Sequence, residues 1–324
     1  MHTSGGEMSS RKSEFGFAAL AILFVFCCAL RLPAQQKGQW VPGQTGLDAG
    51  ILPEPGLTYA NLTINYSAEA LKNASGNSVP LNGNYSFWAV ENVLYYVPKQ
   101  KILGGKLALM ALIPWANGSV TLPQFEVNGK VSGIADTYWQ PLTLGWNFKH
   151  VDTWVAYGFT APTGRYTAGA DDNIGSGYWG NNIVSGTTVY LTKSKATMAN
   201  LATDWEIHGQ KEGSNITPGQ TFTMEWGLGQ LIPLDNQMSK ILDLGVVGYD
   251  QWQVTANGGT LAPGIPASKV PYYSSHAIGV QTNFIIPAHA LSFLFKYEPE
   301  YLAYARPQGR TIVFGGSWTL PILK

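Results

Sequence analysis

Charge is scarce in this chain. Only 12% of its 324 residues are Asp, Glu, Lys or Arg, about half the roughly 25% of an average soluble domain. The 20 basic and 20 acidic residues cancel. A nucleic-acid partner needs a clustered basic surface, so that class is excluded. Cysteine is scarcer still. Cys27 and Cys28 are the two in the chain and both lie in one apolar run near the N-terminus. Beyond that run there is no disulfide framework and no thiol chemistry. Long apolar runs are also missing after residue 30, so no spanning helix is available there. What is present is glycine (37 residues), aromatics (12%) and a mean hydropathy of −0.02. These describe a β-rich chain with apolar side chains on alternate positions.

The first 34 residues look like an address. Arg11 and Lys12 precede the run FGFAALAILFVFCCAL from Phe15 to Leu30, and Ala34 offers a small residue for cleavage. The run is about 16 residues, short of the 20 or so that a spanning helix needs. It reads as a signal peptide over 1–34, with a short membrane anchor as the rival. If the rest enters a membrane it does so as a closed barrel, because lipid offers no partner to a sheet edge.

Strand patterns are expected near 57–66, 86–96, 104–115, 134–148, 152–161, 178–191, 196–209, 220–231, 240–254, 276–286, 290–303 and 310–320. Many are about 10 residues, the length that crosses a bilayer when tilted. The connections alternate long and short along nearly the whole chain. Lys149 to Asp152 and Pro287 to His289 are short; AGADDNIGSG at Ala168 to Gly177 and NGGTLAPGIP at Asn257 to Pro266 belong to long loops. A soluble sandwich has no reason to sort loop lengths by parity. A transmembrane antiparallel up-and-down β-barrel does, with short periplasmic turns and long extracellular loops. The expected fold is therefore all-β: about 12 strands over 57–324, preceded by an irregular segment over 35–56 that is either a periplasmic tail or a lumen plug. Trp40, Pro42 and Pro53-Glu54-Pro55-Gly56 exclude regular structure over most of that segment.

Faces follow from alternation. Thr197, Ala199, Leu201, Thr203, Trp205 and Ile207 form an uncharged row for lipid. Met198, Asn200, Ala202, Asp204, Glu206 and His208 form a row for the lumen. Phe222, Met224, Trp226 and Leu228 oppose Thr221, Thr223, Glu225 and Gly227, while Leu107 to Trp115 share a face at every second residue. Tyr138 and Trp146, eight residues apart with Leu142 and Leu144 between them, are expected on one face as the two aromatic girdles. Over 240–254 the face of Leu242, Leu244 and Val246 later carries Asp250, which calls for a bulge or for a position above the membrane.

Several stretches carry a family resemblance: DTYWQPLTLGWNF at Asp136 to Phe148, YGFTAPTGRY at Tyr157 to Tyr166 and NIGSGYW at Asn173 to Trp179. EIHG at Glu206 to Gly209, NITPGQ at Asn215 to Gln220 and EWGLGQ at Glu225 to Gln230 add to the set. From Pro53 to Leu320 the chain resembles the bacterial outer-membrane family named for the meta-cleavage pathway of phenol degradation. The resemblance implies a single barrel in the outer membrane of a Gram-negative bacterium, associated with uptake of hydrophobic or aromatic compounds, and it offers no catalytic residues. The chain departs at its end, where Trp318 is followed by TLPILK rather than closing on an aromatic residue read by the barrel assembly machinery.

Asp204, Glu206 and His208 at every second position, with Glu225 on the next strand, are the lumen candidates. Alternate side chains lie roughly 7 Å apart on a strand and no fourth ligand is indicated. A polar lumen face with cross-strand pairing is expected ahead of a metal or catalytic site. In the loops, Asp171, Asp172 and Asn173 lack the full spaced oxygen pattern of a calcium site, so a solvated loop is favoured. Arg165 is placed to pair with those acids or with lipopolysaccharide phosphates. No Ser/His or carboxylate set marks the rim, and no P-loop is present. No enzyme, metal or cofactor is expected. The expected partners are outer-membrane lipid, lipopolysaccharide, the assembly machinery and small apolar or aromatic solutes. The expected function is passive uptake of such solutes, ahead of a structural, surface-binding or sensory barrel. The expected interior is narrow and partly occluded, with a polar patch on one wall and an apolar route on the other lined by aromatics and Met198.

Overall fold

The computed structural model describes residues 38–80, 83–122, 127–170 and 172–321. Twelve long strands form one closed sheet: β1 (Gly56–Lys72), β2 (Asn84–Val97), β3 (Gly105–Leu122), β4 (Thr137–Asn147), β5 (Val151–Ala161) and β6 (Gly180–Tyr190), then β7 (Thr197–His208), β8 (Thr221–Pro233), β9 (Ile241–Gln253), β10 (Ser274–Ile286), β11 (Leu291–Tyr304) and β12 (Pro307–Pro321). Each pairs antiparallel with its neighbours in sequence, and β12 closes on β1 from Gly56↔Pro321 to Leu71↔Pro307. Closure leaves no open edge, which is the condition for crossing lipid with strands. Among the described residues no helix is long and apolar enough to cross a membrane.

The connections sort by parity. On the end where β1 begins they span 98–104, 148–150, 191–196, 234–240 and 287–290. On the other end they span 73–83, 123–136, 162–179, 209–220, 254–273 and the tight turn 305–306. The first set is the periplasmic side. On the outer side β3 extends beyond the barrel and pairs at Trp115–Leu122 with a short strand, Val127–Ile134.

The outside is apolar. Leu57, Trp88, Leu94, Trp115, Leu201, Trp205, Leu228, Phe293 and Phe314 are all exposed, a distribution that water would not sustain and lipid requires. On β7, Leu201, Trp205 and Ile207 face out while Asn200, Ala202, Asp204, Glu206 and His208 are buried inside. Because Leu201 lies mid-strand between Thr187 and Trp226, Leu201→Arg puts a guanidinium into the hydrocarbon. We expect it to destabilise the barrel by about 2–4 kcal/mol. Ala202→Arg, one residue on, points inward opposite Glu225, and its effect is expected to be smaller. Urea titration of folding into vesicles checks the order; a larger loss for Ala202→Arg would reverse the faces.

One of the two doubtful positions departs from simple alternation. Tyr138 and Trp146 do not share a face. Tyr138 is buried inside the barrel, whereas Trp139 is exposed. The cause is a bulge: the pairing of β4 shifts between Trp139 and Leu142 on one side, and that of β3 shifts between Ala108 and Met110 on the other. Pro141 sits inside the irregularity and has no N–H to give the ladder, so the phase slips there. Asp250 keeps the alternation. The register of β9 is unbroken against β8 and β10, so no bulge turns Asp250 inward. Its carboxylate faces out within an aromatic band, 2.7 Å from His276 Nδ1 and 3.1 Å from Trp226 Nε1.

Inside, the two walls differ. Ile64, Ala89 and Val313 form one buried apolar cluster over β12, β1 and β2, and Val93, Met110, Leu112 and Tyr138 form a second over β2 to β4. The opposite wall, β6 to β11, buries Asn182, Asp204, Glu206, Glu225, Gln251, Lys296 and Glu298. Met198 is fully buried on β7, the strand of the polar row, and so does not belong to the apolar wall, where the sequence reading had put it.

Candidate functional site: the lumen and the segment within it

Residues 38–55 contain no regular structure apart from turns, and they run down the lumen from the outer end to the periplasmic end. Irregular backbone at this depth must find a partner for every buried N–H and C=O. The polar wall supplies them. Glu206 Oε2 accepts from the backbone N–H of Gln39 (2.6 Å) and of Trp40 (3.0 Å). Glu225 accepts from Trp40 Nε1 (2.8 Å) with one oxygen, and from Thr45 N (2.6 Å) and Oγ1 (2.8 Å) with the other. Lys296 Nζ donates to the carbonyls of Gly43 (2.8 Å) and Thr45. Gln281 Oε1 accepts from Leu47 N at 3.3 Å, and Trp154 Nε1 donates to Ala49 O at 2.8 Å.

At Gly50 the segment lies against the wall itself. Its N–H donates to Thr188 Oγ1 at 2.9 Å. A Cβ there would fall 2.2 Å from Thr188 N and 2.3 Å from Asp152 O, so only glycine allows this approach. One residue pair further down, Leu52 packs with Val97, Ala108, Trp154, Ala156 and Val184 and closes the periplasmic end.

The four lumen candidates all face inward; Asp204 finds the expected kind of cross-strand partner, whereas Glu206 and Glu225 do not. Glu206 and Glu225 serve the segment. Asp204 takes two hydrogen bonds at 2.9 Å from Asn182 of β6. His208 bridges Gly219 O (2.9 Å) and Glu206 Oε2 (3.3 Å). Among the described residues no group of three or more His, Cys, Asp or Glu is arranged to hold a metal.

Of the loop candidates, Asp171 lies outside the described residues. Arg165 pairs with Asp172, at 2.8 Å to its carboxylate and 2.7 Å to its carbonyl. Asn173 folds the same loop, accepting from Thr167 N (2.6 Å) and donating to the carbonyls of Thr167 and Ala170. Asp136 pins this loop to the barrel through Ser176 N, Ser176 Oγ and Gly164 N at 2.5–3.0 Å. Burial pushes the Asp136 carboxyl above its usual range, and those hydrogen bonds pull it partly back. Burial also lowers the Lys211 ammonium, to about 8.

Sequence reasoning missed a second polar cluster. Arg306, in the tight turn between β11 and β12, reaches inward to Ser275 Oγ (2.7 Å), Gln251 Oε1 (3.2 Å) and Glu300 (3.4 Å). Glu300 also accepts from Tyr249 OH (2.9 Å), Tyr66 OH (3.0 Å) and Gly309 N (2.7 Å). Lys296, Glu298 and Glu300 repeat on β11 the spacing of Asp204, Glu206 and His208, and that repetition was the available signal.

Between the segment and the apolar wall two cavities are stacked. The upper one, about 240 Å³, reaches from the outer loops to Leu112, Tyr138 and Glu91. The lower one, about 140 Å³, is bounded by Leu62, Val93, Tyr95, Met110 and Ala202. Trp40, Gln44 and Leu112 line both and so stand between them. The Trp40 ring meets Tyr138 edge-on at 6.1 Å.

A family model described as the putative MetA-pathway of phenol degradation matches residues 68–314. No curated protein matches the chain. Among solved structures, the COG4313 outer membrane channel from Pseudomonas putida F1 is 16% identical, with a TM-score of 0.70 over 87% of this chain and 100% of that one. The β domain of the Bordetella autotransporter BrkA is 9% identical, with a TM-score of 0.49 over 82% of this chain and 100% of that one. The first likeness establishes that the fold is that of a Gram-negative outer-membrane barrel.

Proposed function

The chain belongs to the family described as the putative MetA-pathway of phenol degradation, and on that premise we propose that it is an outer-membrane channel for passive uptake of small apolar and aromatic molecules. The observation that carries this reading is the apolar wall. Two cavities lie along it, from the outer loops toward the periplasm, and Trp40, Gln44 and Leu112 line both. A solute that loses water gains from such a surface, whereas the charged wall opposite is engaged with residues 38–55. In this reading residues 1–34 are a signal peptide, residues 35–56 are a lumen plug, and β1 to β12 are the barrel. The barrel is folded into the membrane by the assembly machinery, sits among outer-membrane lipids and meets lipopolysaccharide at its outer rim. It performs no catalysis. A carboxylate-rich lumen can still serve apolar solutes because Asp204, Glu206 and Glu225 are held by Asn182 and by residues 38–55, which leaves the apolar wall as the surface a solute meets.

Uptake of labelled toluene by cells with and without the protein tests the channel. A rate several-fold above that of the deletion strain is the expected result; equal rates would sink it. One observation favours a second reading, a structural or sensory barrel. The cluster around Leu52 closes the periplasmic end, so passage requires that cluster to yield. Equal, near-zero permeability of liposomes to apolar and small polar solutes would favour the second reading.

A further inference from the structure

On its apolar side the upper cavity holds a carboxyl group that the apolar route does not require. Glu91 on β2 projects into the lumen, is 3% exposed and lines this cavity. Its inward neighbours along the strand are Ala89 and Val93, and the residues paired with it across the sheet are Leu62 and Pro114. Its Oε2 is buried without a hydrogen-bond partner. Glu206 and Glu225 also face inward, but they are taken by Gln39, Trp40 and Thr45. A buried acceptor left unpaired is costly, and a protein retains one where something supplies the donor.

We propose that the upper cavity is a binding site for a ring-sized apolar molecule carrying one hydrogen-bond donor, such as a phenol, with the ring against the apolar wall and the O–H donated to Glu91. This inference rests on the channel reading and adds the chemistry of its solute. Size agrees: an apolar cavity of about 150 Å³ accommodates benzene, and about 240 Å³ leaves room for a substituent. The walls agree as well. Leu112, Ala116, Val120 and Phe87 offer apolar surface, and Trp40 and Tyr138 offer ring edges. A bare hydrocarbon fills the same space but leaves Glu91 unsatisfied. An aryl carboxylate would bring a charge into this buried space with no cation to meet it, and the cost of stripping its water rejects it. The site thus selects through Glu91, the unpaired acceptor on its apolar side; Gln39 Oε1 and Asn182 Oδ1, also unpaired along this cavity, belong to the segment and the polar wall. An unpaired buried group discriminates more strongly than a methylene does.

The test is calorimetric titration of the full-length protein in detergent with phenol, toluene and benzoate, together with toluene flux into vesicles bearing the protein. Wild type is expected to bind phenol about tenfold more tightly than toluene and to show no benzoate binding. Glu91→Leu is expected to abolish that preference while keeping toluene binding. Glu91→Gln, which retains an acceptor oxygen at nearly the same volume, is expected to keep part of it. Heat-modifiable gel mobility verifies folding of each variant, and the wild-type preference is measured without any variant. Equal affinities for phenol and toluene in wild type, or an unchanged phenol preference in Glu91→Leu, would overturn the site. Toluene flux separates the two ideas. Flux without a phenol preference leaves the channel standing and removes the site; absence of both flux and binding removes both.

Discussion

Deleting residues 38–52 while keeping residues 1–37 is expected to raise the permeability of the barrel to small polar solutes by roughly an order of magnitude or more. The barrel itself should persist. Twelve strands lie between the eight-strand case, whose interior side chains fill, and the sixteen-strand porins with an open aqueous channel. The space within this barrel is therefore set by what occupies it. Residues 38–55 occupy it along its length, tied at Glu206 and Gln39 near the outer end and at Thr188 and Trp154 near the inner one. Once they are gone, Glu206, Glu225 and Lys296 face water rather than vacuum, so the charges stay solvated and the wall keeps its ladder. Permeability to arabinose by liposome swelling, with folding verified by gel mobility, measures the change. Unaltered swelling would mean that the segment does not limit passage.

Much of this arrangement was legible from residue order. The twelve strands and their faces followed from period-two alternation, because every strand of a membrane barrel faces lipid on one side and the lumen on the other. Leu201 outside and Asp204, Glu206 and His208 inside needed nothing more. The parity of the loops likewise followed from the single condition that turns are short on the periplasmic side. Alternation fails where the period breaks. Pro141 hides a bulge that turns Tyr138 inward, and a proline within an aromatic strand is a signal of that kind. At Asp250 the pattern was intact but the chemistry misled: an acid on the outer face is tolerated because His276 and Trp226 hold it.

The lumen was legible only in part, for a different reason. Residues 38–55 have no periodicity, so nothing local distinguishes a tail from a segment threaded through the barrel. Their partners lie far off in sequence: Glu206 is 167 residues from Gln39. Pairing across that distance is a property of the closed sheet, not of either segment. Glu91 is different again. In the inward row Tyr85, Phe87, Ala89, Glu91, Val93, Tyr95 it is the one charged residue, and a lone acid in an otherwise apolar lumen row is readable once the face is known. On β11 the inward row instead carries three charges in succession, Lys296, Glu298 and Glu300, while Phe293 and Phe295 face out.

The one cation that holds the segment in the hydrogen bonds described above is Lys296. Its side chain is fully buried; its ammonium donates to the carbonyls of Gly43 and Thr45 and lies 4.0 Å from Glu298 Oε2. Both carboxylate oxygens of Glu298 are otherwise without hydrogen-bond partners, so this ammonium is the charge that compensates them. Lys296→Met fits the same space but removes it. Two carbonyls lose their donor, and one buried carboxylate loses its counter-charge. Breaking a buried pair from one side costs about 3–5 kcal/mol, more than any single cap or surface contact contributes. Water can relieve that cost only by entering where Gly43 and Thr45 now sit, which requires the segment to move. Lys296→Met is therefore expected to lower the urea midpoint of the barrel and to raise its permeability to small polar solutes together. Adding Glu298→Leu removes the orphaned charge and should recover most of the stability lost, because the two residues act as one unit. Folding titration and liposome swelling on the two variants decide it. A Lys296→Met barrel as stable and as tight as wild type would mean that the ammonium does not hold the segment in place.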